Sequence, residues 1–386
     1  MLTFPGMTQQ LLSPAAKYGY IPGLDGLRAI SVIIVLMAHF GLGHIIPGGF
    51  GVTVFFFISG FLITRLLIAE TETQGKIKLK QFYIRRIIRL YPALLFMVLV
   101  SSALFGSFGL GGPTWHELIA ALGYGMNVLL TLQAQGFGET YMSWNPLWSL
   151  AVEEHFYLFF PVLLVAFGRK WNRAALAVTG LVVLAPLWRA WIVFSTSMDA
   201  NVYTYVMTDA RMDSILWGCL ASLVLHAYPR LIHRKFFIGW LPTMIAGLAL
   251  ILTLIVRDPE FRNIARYSVQ GAALLVLICN LYFYSALRFA IQWLEWGPLA
   301  WLGRMSYPLY LWHYVMLDFW TKTLSMEAAI IPMAIVSSFF AACVSVYLIE
   351  RPTNSLRKRY GAHIHATQTA KPEKTKEVKQ PTGDLV

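Results

Sequence analysis

Arg28 and His39 stand eleven residues apart in one apolar stretch, and a later one carries Glu153 and Tyr157 in the run Trp148-Ser-Leu-Ala-Val-Glu153-Glu-His-Phe-Tyr157. A carboxylate that orients an imidazole is the arrangement of general-base catalysis. On a helix, eleven residues make three turns plus roughly 20°, so Arg28 and His39 share a face about 16 Å apart along the axis. Glu153, entering from the opposite surface, would lie about 12 Å deep, a level similar to that of His39. Glu153 and Tyr157 share a face at i, i+4. Ionisable groups inside apolar spans are costly and face a bundle interior, which makes His39 and Glu153 the candidate catalytic pair. The plainer alternative is structural: a histidine bonded to a neighbouring helix, and a glutamate paired with a buried arginine or tyrosine. Glu154 and His155 point away from Glu153 and read as structural.

Arg85, Arg86 and Arg89 precede Leu90-Tyr-Pro92, and Arg86 and Arg89 at i, i+3 share one face of a short helix entering the next apolar span. Paired guanidinium forks suit the phosphates of an anionic cofactor, although anchoring on lipid headgroups explains such clusters too. Neither a Walker loop nor a dinucleotide glycine fingerprint occurs. Ser306, Tyr310 and His313 fall on one helical face, and Arg211 with Asp213 opens another polar patch. With Trp148 and Tyr157, the residues Tyr310, His313, Arg211 and Asp213 are candidate substrate contacts. No HExxH, paired CxxC or acidic cluster of metal-ligand spacing is present, so no metal is expected. Cys219, Cys279 and Cys343 sit in apolar runs at unrelated spacings, which supports no disulfide framework.

The elements that must hold these residues are set by composition. Of 386 residues only 13% are charged and 57% are hydrophobic, against about 25% charged in soluble chains, so an all-α polytopic transmembrane helix bundle is expected. Apolar runs fall at about 24–44, 49–69, 90–110, 117–134, 145–167, 174–195, 211–228, 237–256, 268–287, 299–320 and 327–349. If 117–134 does not cross, the basic clusters at 76–89, 169–173, 230–235 and from 357 all lie on one side, which the positive-inside rule makes cytoplasmic. About ten spans plus a re-entrant or interfacial element are therefore expected, in the cell (inner) membrane with both termini cytoplasmic. Arg257, Arg262 and Arg266 then lie outside, against the pattern. The net charge of +12 reads as topology and contact with membrane lipids rather than nucleic-acid binding. Residues 1–23 form an N-terminal cytoplasmic segment without a cleavage pattern, 24–352 the membrane domain, and 353–386 a basic, disordered cytoplasmic tail.

The motifs together resemble the acyltransferase 3 family of integral membrane acyltransferases. The likeness covers about residues 20–352: Ile21-Pro-Gly-Leu-Asp-Gly-Leu-Arg28, Arg28-x10-His39, Gly48-Gly-Phe-Gly-Val, Phe55-Phe-Phe-Ile-Ser-Gly-Phe-Leu-Ile63, Arg86-x-x-Arg89, Trp148-Ser-Leu-x-x-Glu153-x-x-Phe-Tyr157, Arg211-Met-Asp213, Gly303-x-x-Ser-Tyr307, Tyr310-Leu-Trp-His313 and Glu350-Arg-Pro352. The resemblance implies transfer of acetyl or other short acyl groups to hydroxyls of bacterial cell-surface glycans, or of antibiotics and other small molecules. It also implies a cytoplasmic acyl-CoA (acetyl-CoA) donor and a need for Arg28, His39, Arg86 and Arg89. Thr53 stands where family members commonly have Asp, so no role of that carboxylate transfers. Some members carry an extracytoplasmic hydrolase-like domain; this chain shows none, which implies action alone or with a separate partner.

The expected function is therefore membrane O-acylation of a carbohydrate such as a cell-surface polysaccharide. Arg86, Arg89 and Arg28 would take donor phosphates, and His39, steadied by Glu153, would act as general base. Direct transfer and a covalent acyl-enzyme both fit. The alternatives are a small-molecule acceptor such as a macrolide or lipid-linked sugar, a proton-coupled transporter relaying through His39 and Glu153, and a scaffold that binds lipid or glycan without turnover.

Overall fold

A computed structural model describes residues 21–359 except 139–140 and 235–236, and these form helices with no strand. Seven helices are long and apolar enough to cross a membrane. They are α1 (Leu24–Met37, extended by a π turn to Leu42), α2 (Gly48–Gln74), α3 (Leu79–Ser107), α6 (Leu147–Phe167), α7 (Trp171–Ser195), α13 (Arg266–Phe283) and α17 (Glu327–Val344, extended by a second π turn). Two shorter apolar helices, α10 (Asp213–Ala227) and α11 (Trp240–Ile255), and the polar-aromatic α16 (Ser306–Thr323) occupy the other runs in which the sequence reading set its ten spans. Many large side chains facing away from the interior are apolar, as lipid contact demands.

The eleventh apolar run does not cross. It is two short helices, α4 (Trp115–Leu122) and α5 (Met126–Ala134), each about 12–14 Å long against a hydrocarbon thickness of about 30 Å. The break is Gly123-Tyr124-Gly125, where Tyr124 takes the left-handed φ of 53°. Glu117 secures the entry: it completes a capping box with Thr114 and accepts the backbone N–H groups of Tyr141 (2.8 Å) and Met142 (2.7 Å). The return is pinned to the bundle through Thr208, whose hydroxyl meets Asn127 Nδ2 at 3.0 Å and His155 Nδ1 at 2.8 Å.

Two boundaries differ from the sequence reading. Arg86 and Arg89 lie inside the continuous helix α3 rather than on a short helix ahead of it; their apolar stems extend the helix while their heads reach polar ground. At the other end, Pro352 does not stop the chain. It lies in α18 (Arg351–Arg359), which follows the π turn without a break, so the segment expected to be disordered from 353 is helical to Arg359. Residues 360–386 and 1–20 of the expected tail and N-terminal segment lie outside the described residues.

The bundle closes around α2, most extensively against α10. Glycines permit that approach: a Cβ at Gly218 would fall 1.9 Å from the Phe57 carbonyl oxygen, and one at Gly60 would fall 2.0 Å from that of Ile215. In lipid, where apolar surface gains little by leaving the solvent, such close backbone packing is a main source of association. Gly218→Ala should therefore force α2 and α10 apart at a cost of about 1–3 kcal/mol or more. A lowered thermal midpoint in detergent micelles, with loss of monodisperse protein, is expected; an unchanged midpoint would contradict this packing.

Candidate functional site

α2, α3, α6 and α16 enclose a cavity of about 190 Å³. Its lining reaches from Gln74 to Val52 on α2, about 33 Å of helix, close to the thickness of a bilayer core. The ends differ. At the Gln74 end Gln74 and Arg89 are exposed, so the cavity opens there; at the Val52 end Val52, Ser149 and Tyr310 are buried and it is blind.

Charge is concentrated along the open half. Arg28 of α1 and Arg86 and Arg89 of α3 line it together with Glu153 and Tyr157 of α6. The Arg86 guanidinium lies 3.3 Å from the Tyr157 ring centroid, a cation–π contact that meets its charge in a place water reaches poorly. The Ser59 hydroxyl lies beside both Glu153 and Tyr157, and Glu153 feels the charges of Arg86, Arg28 and Arg89. Arg85 is drawn aside by Glu70, 3.0 Å away. With four arginines against Glu70 and Glu153 the lining is positive, a suitable field for a polyanion.

The blind end is closed by hydroxyls. Tyr310 Oη lies 2.8 Å from Ser149 Oγ and 3.0 Å from the Pro146 carbonyl oxygen. Behind Tyr310, with ring centroids 5.3 Å apart, stands the fully buried His313. His313 Nε2 is 2.9 Å from His39 Nδ1. His39 itself is exposed, on the side away from the cavity, with Tyr314 packed edge-on at a 5.0 Å centroid distance.

The partner of His39 is therefore His313, in the place where the sequence reading set Glu153. Depth arithmetic put His39 and Glu153 at one level but could not say which ring of α16 would meet His39. Arg28 lines the cavity while His39 does not, although the backbone between them stays helical. The chain leaves helical dihedrals only beyond His39, at Phe40 and Gly41, Gly41 at φ 100°.

The remaining sequence candidates divide. Tyr157 and Tyr310 line the cavity, whereas Trp148, Arg211 and Asp213 belong to a separate buried cluster. There Asp213 pairs with Arg189 at 3.0 Å rather than with Arg211, and Ser268 bridges the two. Arg211 donates to Thr53 Oγ1 (3.2 Å) and lies 3.7 Å from the Tyr267 ring centroid, while Trp148 packs on Phe56 and Tyr205. Sequence reading passed over Arg189, though an arginine in the middle of an apolar run was itself a signal. Ser59 and Ser149 carried no such signal, because small hydroxyls are common in membrane helices. Among the described residues no group of three or more His, Cys, Asp or Glu is placed to hold a metal ion.

A family model described as an acyltransferase domain matches residues 21–350. The chain belongs to the acyltransferase 3 family. It is 31% identical over 351 residues to the peptidoglycan O-acetyltransferase OatA of Listeria monocytogenes, a match covering 86% of this chain and 56% of that protein. It is 33% identical over 310 residues to the O-acetyltransferase OatA of Staphylococcus aureus strain NCTC 8325, covering 78% of this chain and 51% of that protein. The chain thus spans about half the length of these relatives. No solved structure matches.

Removing one member of the buried Arg189–Asp213 pair leaves an uncompensated charge, a loss of about 3–5 kcal/mol. Asp213→Asn is expected to lower the thermal unfolding midpoint markedly in micelles; a midpoint equal to wild type would show that the pair does not stabilise the bundle.

Proposed function

We propose that this membrane protein transfers an acyl group, acetyl by analogy with its relatives' names, from acyl-CoA to a hydroxyl of a carbohydrate such as a cell-surface polysaccharide. The observation that carries the reading is the arginine-lined cavity, open at one end and blind at the other, in a chain of the acyltransferase 3 family. At about 190 Å³ it is smaller than the roughly 300–1,000 Å³ of sites for whole drug-sized ligands. A slender thioester arm suits it, with the nucleotide phosphates held at the mouth by Arg86, Arg89 and Arg28 through charge-assisted, forked hydrogen bonds.

In this reading the open end faces the cytoplasm, where the donor is made, and both termini lie on that side of the cell (inner) membrane. The basic residues where α2 passes into α3, Lys76 and Lys78 in the connection and Lys80 in the first turn of α3, agree with that orientation. The acceptor comes to the opposite end, where His39 is exposed. His39 removes the acceptor hydroxyl proton as that oxygen bonds to the thioester carbonyl carbon; the carbon–sulfur bond breaks, and the proton passes to the departing coenzyme A thiolate. Glu153 acts with Ser59 and Tyr157 to hold Arg86 in the cavity wall rather than to orient the histidine. Tyr310 and Ser149 separate donor arm from base, so their hydroxyl contact must open for the thioester to reach His39. A carbohydrate acceptor is favoured because the Listeria relative is named for peptidoglycan.

His39→Ala should lower acetyl transfer by at least about a hundredfold while leaving the protein folded in the membrane, as loss of a general base requires. Near-normal turnover from labelled acetyl-CoA in proteoliposomes would remove His39 from the chemistry. Replacing Arg86 and Arg89 together by Ala should raise KM for acetyl-CoA by about tenfold or more, each charged hydrogen bond contributing about 1.5–3 kcal/mol. An unchanged donor dependence would rule out phosphate binding there.

A further inference from the structure

The two histidines define each other's protonation, and the definition starts from a backbone atom. His313 Nδ1 lies 2.6 Å from the Tyr310 carbonyl oxygen, and a carbonyl oxygen only accepts, so Nδ1 of His313 carries a hydrogen. His313 is fully buried, and among the described residues no carboxylate pairs with it, so a second proton would bury an uncompensated charge. Its Nε2 is then a lone pair. The 2.9 Å contact between that Nε2 and His39 Nδ1 needs one hydrogen, which only His39 can supply. His39 is thereby held with Nδ1 protonated and Nε2 bare.

We infer that His313 is a positioning residue: it accepts the Nδ1–H of His39 and so fixes that ring in the tautomer whose unprotonated Nε2 faces the acceptor hydroxyl. The inference rests on the reading of His39 as general base. An imidazole free in water interconverts its tautomers, and only one of them offers a base at a given nitrogen. Position matters as much as protonation here, because His39 sits on a π turn whose next residues, Phe40 and Gly41, are non-helical, so α1 alone does not fix the ring. The groups that meet it come from α16: His313 at one ring nitrogen and Tyr314 at the edge. The same Tyr310 that closes the donor cavity with its hydroxyl supplies the anchoring carbonyl. The chain of contacts from the cavity to the base is thus Ser149, Tyr310, His313 and His39. A neutral imidazole fills the orienting position that a carboxylate holds in Ser-His-Asp triads, with the same geometric task and no second charge to bury.

The test combines spectroscopy with kinetics on the full chain in lipid nanodiscs. In protein labelled with ¹⁵N-histidine, the resonances lost in His39→Ala identify His39; they should show a protonated Nδ1 and an unprotonated Nε2 in wild type. In His313→Leu the two nitrogens should move to intermediate, averaged shifts. With labelled acetyl-CoA as donor and an N-acetylglucosamine oligosaccharide as acceptor, His313→Leu should lose about tenfold or more in kcat with KM for acetyl-CoA within about twofold of wild type. His313→Gln, whose side-chain oxygen can still accept from His39 Nδ1, should recover most of that loss. A wild-type His39 protonated at Nε2, or a His313→Leu enzyme with unchanged kcat, overturns the inference. If His39→Ala stays active while the tautomer is as stated, the positioning geometry stands and the general-base reading fails instead.

Discussion

Hydrocarbon offers no water to a charged side chain, so every ion inside this bundle has to be met by the protein itself, and the ways in which it is met lay out the site. Arg189 is matched by the Asp213 carboxylate and donates further to Ser268 and to the carbonyls of Ala210 and Ile264. Arg86 lies on the Tyr157 ring, and the Ser59 hydroxyl lies beside the Glu153 carboxylate. The first pair is sealed and serves the fold. The second group borders open volume, where a positive excess can be satisfied by something brought from outside. The same desolvation cost that seals the Arg189–Asp213 pair in the core leaves the cavity wall with a field suited to an anion, which is how the proposed reading uses it.

Much of this architecture was legible because the bilayer fixes helix length. Apolar runs such as 49–69 and 145–167 correspond to α2 and α6, and the distribution of basic clusters singled out 117–134 as the segment that turns back. Helical spacing also gathered Arg86, Arg89, Glu153 and Tyr157, since regular helices keep their faces. What spacing could not supply was contact between helices distant in the chain. His39 and His313 are 274 residues apart, and their meeting depends on the packing of α1 against α16. Depth along a helix axis is readable from sequence; which neighbour a helix face meets is not. Arg211 and Asp213 illustrate the same limit: adjacent in the motif, they take different partners because α9 (Thr208–Arg211) ends between them and α10 begins at Asp213.

In the proposed reading Tyr310 separates the donor cavity from the exposed histidine. Its hydrogen bonds to Ser149 and Pro146 are individually worth about 0.5–1.5 kcal/mol. On that reading they close the path at rest and yield to a bound thioester arm.

Sidedness is consequently the most direct test of the account. In proteoliposomes of a single known orientation, labelled acetyl-CoA is supplied either at the arginine face or at the histidine face, with an oligosaccharide acceptor on both sides. The account predicts acetylated oligosaccharide only when the donor meets the arginine face, and product only in the compartment facing His39. Equal transfer from both faces, or product on the donor side alone, would contradict it.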